Sequence, residues 1–399
     1  MLKFIWIFFC FPALCSIGQQ WQALPDFPGL ARDDGSAFVI GNKAYCGTGV
    51  TSTMGPQIDF YAFDMPSASW SQVASLPEWA ARQYCTAFTD GTNGFLFGGY
   101  GWSEFLGDLW KYDAGNDNWI QAAPMPDEAR SGATSFTLGN DTYIIGGKNA
   151  TSDALSDVWV YHMDTDSWTQ KSDLPSGGRW RASGFSHAGF GYVVFGRDES
   201  GDYRGEVFKY NPGNDSWTEA GYFPGNGRNY VSVQKIGDEA MFFGGLDVDN
   251  TLYKDLWSLD VETMNWIEFE PLPSAGRRGG MSFTDGSSLY YTSGYIQGGT
   301  RTLETWKATD FYPVPEVPEV IFIAIYPNPT SGFVNVGFEN NEHRLFEGVR
   351  VFDRLGREYF QHPIEEARTM LDVSTLAPGV YVFYFYGSRG VARLPFVKI

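Results

Sequence analysis

The chain has 399 residues, enough for two or three domains, with 43% apolar and 17% aromatic side chains. Its 47 glycines and 21 prolines suit many short strands joined by tight turns. A formal net charge of −19 excludes a general nucleic-acid binder, which needs a basic face.

Residues 1–18 read as a secretory signal. Met1-Leu2-Lys3 is a short basic start, and Phe4 to Leu14 is an apolar run interrupted by Pro12. Ser16-Ile17-Gly18 places small residues before a cut ahead of Gln19. The run is too short to serve as a permanent transmembrane anchor. Cys10 and Cys15 leave with this segment. Cys46 and Cys85 remain, and two states are open to them: one disulfide between neighbouring repeats, or two separate buried thiols.

Six tryptophans then recur every 49 residues: Trp21, Trp70, Trp119, Trp168, Trp217 and Trp266. A fixed period near 50 marks a repeat architecture. In the third unit, Arg130 to Leu138 reads as a small-residue strand, and Gly139-Asn140-Asp141 as a turn. Thr142 to Ile145 is a second strand ending in Gly146-Gly147, and a polar loop runs from Lys148 to Ser156. Asp157 to Tyr161 and Trp168 to Gln170 supply the third and fourth strands. Four short strands per unit predict one propeller blade.

The glycine doublets at Gly98-Gly99, Gly146-Gly147 and Gly244-Gly245, each followed by an aromatic and then the periodic Trp, resemble the kelch repeat. Tyr61, Tyr112, Tyr161 and Tyr210 occupy the aromatic position, and Leu259 is the exception. The resemblance implies an all-β, six-bladed kelch-type β-propeller over residues 19–312. The sixth unit stops after Thr305-Trp306-Lys307 without its own Trp strand, so Trp21 to Leu24 is expected to complete it and close the ring.

Residues 313–319, rich in proline, form an expected extended linker. Residues 320–399 alternate like the strands of a small Ig-like β-sandwich. Tyr326-Pro327-Asn328-Pro329, Asp353-Arg354-Leu355-Gly356-Arg357, Pro378-Gly379-Val380-Tyr381 and the ending Phe396-Val397-Lys398-Ile399 resemble the C-terminal sorting domain of the type IX secretion system. That resemblance implies export by a bacterium of the Bacteroidota type, with the secretion machinery as partner and a secreted or cell-surface product.

Arg32, Arg82, Arg130, Arg179, Arg228 and Arg277 recur before each inner strand. Strand alternation puts them on the same propeller face as the loops between second and third strands. Two roles are open to them. They could ring the channel mouth and bind an anionic or carbohydrate ligand through bidentate hydrogen bonds. They could instead bond backbone carbonyls or a neighbouring blade's carboxylate. Trp102, Trp180 and Tyr203 on the same face complete the candidate ligand-binding set.

The expected function is a secreted or surface binding module for a carbohydrate or peptide, with no cofactor. The alternative is a sugar-acid epimerase or mutarotase of the N-acetylneuraminate kind, a chemistry that kelch-like propellers include, with Glu104, Glu199 or Asp202 as acid or base. The resemblance to kelch-like propellers also includes a copper oxidase of the galactose oxidase kind, and a propeller with only His162 and His187 argues against it.

Overall fold

The computed structural model describes residues 20–175, 177–311, 323–338, 342–353, 357–387 and 390–399. The signal segment 1–18, the linker 313–319 and Arg354-Leu355-Gly356 of the sorting-domain turn lie outside the described residues. The chain divides into two compact units, with a boundary between Phe311 and Tyr312.

The first unit is a ring of six four-stranded antiparallel sheets. The first blade runs Ser36–Ile40, Lys43–Gly47, Phe60–Asp64 and Ser69–Val73, in that spatial order. The next four blades repeat the pattern, ending on the outer strands Asn118–Ala122, Ser167–Lys171, Ser216–Tyr222 and Asn265–Phe269. The sixth blade takes Met281–Thr284, Leu289–Thr292 and Thr305–Thr309 from the end of the unit, and Gln20–Leu24 from its beginning. Trp21 faces Ala308 and Leu24 faces Thr305 across that last ladder. The ring therefore closes by strand pairing between its two ends, which leaves no blade with an unfilled outer position.

Apolar side chains pack between successive blades in separate clusters. Phe38, Tyr45 and Phe60 of the first blade meet Leu96, Trp110 and Tyr112 of the second. The periodic tryptophans tie these seams from outside. Trp70, Trp119, Trp168 and Trp217 each donate their indole N–H to a carbonyl 45 residues earlier, at 2.8–3.0 Å. Trp21 donates to the Glu270 carbonyl at 2.9 Å and completes the set across the closure. Trp266 breaks the pattern, since its indole N–H is buried without a partner. The outer strand of the fourth blade before it is longer than those of the other blades and shifts register against its neighbour.

In the structure Cys46 and Cys85 stand as two separate thiols. Cys46 packs with Phe63 and Met281 toward the sixth blade, whereas Cys85 packs against the cluster shared by the first and second. Burial pushes the Cys85 thiol up to about 11 and raises that of Cys46 as well.

The second unit is a two-sheet sandwich. Ile323–Tyr326, Phe333–Phe338 and Arg368–Asp372 form one sheet. Glu358–Pro363, Gly348–Asp353, Gly379–Gly387 and Gly390–Lys398 form the other. Val334, Val336 and Leu371 from the first sheet share a core with Val349, Val351, Phe383 and Phe396 from the second.

Candidate binding site at the propeller axis

The six periodic arginines are buried, with exposures between 0% and 4%. Arg32, Arg82, Arg130 and Arg228 each make a bidentate pair with an aspartate of their own blade: Asp59, Asp108, Asp157 and Asp255, at 2.6–2.8 Å. Arg277 bonds Glu304 at 2.6 Å, and Arg179 lies 3.6 Å from Glu206. In the four aspartate blades the same guanidinium also donates to a carbonyl at the end of the second strand. These contacts correct the expectation of a six-fold ligand ring at these positions: the guanidinium donors face inward to carboxylates and carbonyls of the same blade, not outward to the mouth. Burial opposes ionisation of Asp108, but the Arg82 guanidinium outweighs it and holds the carboxyl below its usual range. Glu304 is held low in the same way by Arg277.

What lines the axis is the residue two positions after each arginine. Asp34, Tyr84, Gly132, Arg181, Tyr230 and Gly279 all take left-handed backbone angles, with φ between 59° and 66°. Only two of the six are glycine, the residue for which that conformation is free of steric cost. A chain of backbone hydrogen bonds explains why the others accept it. The N–H of Tyr84 donates to the Asp34 carbonyl, Gly132 to Tyr84, Arg181 to Gly132 and Tyr230 to Arg181, at 2.8–3.2 Å, and Asp34 donates to Gly279 at 2.5 Å. This collar runs from blade to blade around the axis. The residue just before each collar position pairs with the loop between second and third strands, as in Asp33 with Val50, Trp180 with Arg197 and Arg278 with Tyr295. Collar and loops therefore share one face, as strand alternation predicts.

Side chains from opposite blades meet inside the collar and plug it. Arg181 of the fourth blade contacts the Asp34 carboxylate of the first. Its guanidinium carbon stands 4.6 Å from the ring centre of Tyr84 and 4.1 Å from that of Tyr230. Arg278 forms ion pairs with both acids, at 3.1 Å to Asp33 and 3.4 Å to Asp34, and lies 4.5 Å from the Tyr230 ring. Arg301 reaches Asp33 from its loop at 2.5 Å. Burial, and then the neighbouring Asp34, push the Asp33 carboxyl up to about 7 against the pull of Arg278 and Arg301. Burial and the Asp34 charge also raise the Tyr84 and Tyr230 hydroxyls.

The three aromatic candidates separate. Trp180 joins the collar, with its ring centre 6.0 Å from Tyr84 and 5.5 Å from Tyr230. Tyr203 pairs with Arg197, the same residue that pairs with Trp180, and so stands one layer out. Trp102 lies in the second-blade loop and is 70% exposed. Of the acids named for proton transfer, Glu104, Glu199 and Asp202 are all exposed loop residues away from the collar. Glu199 borders a surface cavity of about 360 Å³ beside the Arg130 pair, lined also by Asp127, Glu128 and Asn149. His162 bonds Asp141 and Thr169, and His187 meets Lys235 at 3.1 Å. No group of three metal-ligating side chains occurs among the described residues.

Residues 19–188 match the family model of the KLHDC2/KLHL20/DRC7 Kelch-repeats domain, and residues 324–392 match that of the secretion system C-terminal sorting domain. The chain carries a kelch-repeat propeller and a type IX sorting tail. The solved "Structure of YjhT" shares the propeller fold, with 19% identity and a TM-score of 0.59 over 71% of this chain and 96% of that one. No curated protein matches the chain. The sorting tail marks the kelch propeller for export to the cell surface or the medium and implies contact with the secretion machinery. No helix among the described residues is long and apolar enough to cross a membrane.

Proposed function

We propose that the exported kelch propeller is a binding module that takes a carbohydrate or peptide ligand at the mouth above the axial plug. The single observation that carries this reading is the contrast between a uniform frame and an unequal mouth. Six buried arginine–carboxylate pairs repeat from blade to blade, while the loops above them differ in every blade. Those loops expose Met54, Trp102 and Val248, each at least 65% accessible, around a cationic and aromatic centre. An exposed indole and apolar side chains over a polar floor suit a sugar face or an extended peptide. Glycan and peptide arrays probed with the full chain test the reading. A defined set of hits, weakened about tenfold or more by Trp102→Ala, is expected. Silence on both arrays overturns it.

A sugar-acid epimerase is the second reading, favoured by Asp33. A carboxyl pushed to about 7 beside the guanidiniums of Arg278 and Arg301 suits general acid–base work on a bound carboxylate sugar. Accelerated anomer exchange of N-acetylneuraminate in NMR spectra, lost in Asp33→Asn, would favour this reading over simple binding.

A further inference from the structure

The plug gathers three guanidiniums on two carboxylates, and its buried polar atoms are incompletely paired on both sides, with Asp33 Oδ2 and Gln83 Oε1 lacking donors among the described residues. Arg181, Arg278 and Arg301 converge on two carboxylates, Asp33 and Asp34, which leaves at least one positive charge in excess. Arg181 Nε and the Trp180 indole N–H are buried and have no acceptor among the described residues. Both flank Gly132, where an added Cβ would fall 2.4 Å from Trp180 Nε1 and 2.9 Å from Arg181 Cδ. Ser131, the residue before that glycine, is 1% exposed, and its hydroxyl is also unpartnered. Buried donors without acceptors are costly, and excess charge in a closed site more so. A second oxyanion at this point would relieve both.

We propose that the plug is a self-occupied oxyanion site, in which Asp34 is the resting ligand of Arg181 and the carboxylate of a small acidic saccharide takes its place. This rests on the reading that the mouth binds a ligand, and it names the chemistry that the floor selects. Tyr84 and Tyr230 both turn a ring to the Arg181 guanidinium, so it stays in place when Asp34 leaves. Asp34 keeps a cation partner, because Arg278 already lies 3.4 Å from it. The incoming carboxylate accepts from Arg181 Nη2 and Nε and from the Trp180 indole. A competitor tethered to the site lowers the apparent affinity of any ligand that must displace it.

Calorimetric titration of the full chain with D-glucuronate, D-glucuronamide and D-glucose tests this, with melting temperature as the check on folding. Glucuronate binding with no comparable affinity for the amide is expected. Asp34→Asn should bind glucuronate at least tenfold more tightly, since asparagine tolerates the left-handed backbone at that position and removes the competing charge. Arg181→Met should lose binding at least tenfold. A folded Asp34→Asn protein with unchanged or weaker affinity overturns the proposal, as does equal binding of acid and amide. If Asp34→Asn does not fold, Trp180→Phe decides: glucuronate affinity reduced at least fivefold supports the site, and unchanged affinity overturns it. Neutral glycans that bind and are lost in Trp102→Ala, with glucuronate silent, would sink the plug site while leaving the mouth reading intact.

Discussion

One side chain per blade decides how the mouth is built. A guanidinium buried to 0% exposure, such as Arg82, is tolerable only because Asp108 meets it with two hydrogen bonds of 2.7 Å and the Gly98 carbonyl takes a third at 3.1 Å. The Trp110 indole adds a further donor to Asp108 at 2.6 Å. Removing one partner leaves the other charge buried, which costs about 3–5 kcal/mol. Arg82→Met is therefore expected to lower the unfolding free energy by about that amount, read from urea denaturation with an unchanged slope. Asp108→Asn should cost a similar amount, and the double variant less than the sum of the two, because the pair is lost only once. A ligand-binding arginine would behave otherwise, with stability unchanged and affinity lost. The periodic arginine could be found from the sequence, but its partner could not be assigned. The acid sits 26 or 27 residues downstream, and only the folded blade brings it back beside the arginine. The collar two positions on was harder still. Asp34, Tyr84, Arg181 and Tyr230 carry the backbone angle usually announced by glycine, and nothing in their types reports it.

At the scale of the element, the tryptophan period was legible because one geometry recurs between every pair of outer strands. In the second, third and fourth blades the latch has three parts. The Trp119 indole donates to the Ala74 carbonyl at 2.9 Å, Asp117 accepts the Ala74 N–H at 2.8 Å, and the Tyr112 hydroxyl holds Asp117 at 2.7 Å. The same trio is Trp168, Asp166 and Tyr161, and then Trp217, Asp215 and Tyr210. In the fifth blade Leu259 and Met264 replace the tyrosine and the aspartate, and Trp266 has no acceptor. The exceptional leucine in the repeat thus marks a seam that lacks the outer latch, where Trp266 packs against Phe223 and Phe242. The two seams should respond differently to the same chemical change. Trp119→Phe removes a made hydrogen bond and strands its carbonyl, an expected loss of about 1 kcal/mol or more beyond the packing change. Trp266→Phe removes a donor that was already unpartnered, so it should cost less, and denaturation curves of the two variants would show the order.

Across the whole molecule, the blade count and the closing strand could both be read from where the period starts and stops. A unit lacking its outer strand at one end and a spare Trp strand at the other have one economical solution, and the ladder from Gln20–Thr309 to Leu24–Thr305 is that solution. The mouth was less legible, since its chemistry depends on contacts such as Asp34 with Arg181, 147 residues apart and on opposite sides of the ring. Closure and mouth are also linked. The first blade supplies Asp33 and Asp34, while the sixth supplies Arg278 and Arg301, so the ion pairs of the plug cross the same seam that the N-terminal strand ties. Removing residues 20–24 would expose Trp306 and Ala308 along an open strand edge and take away the Trp21 latch to Glu270. The expected result is a melting temperature lower by ten degrees or more. Amide exchange should quicken first in Thr305–Thr309 and then at the collar positions Asp34 and Gly279. A truncated protein that keeps its melting temperature and its collar protection would mean that packing between the first and sixth blades, through Phe63 and Phe283, holds the ring without the strand.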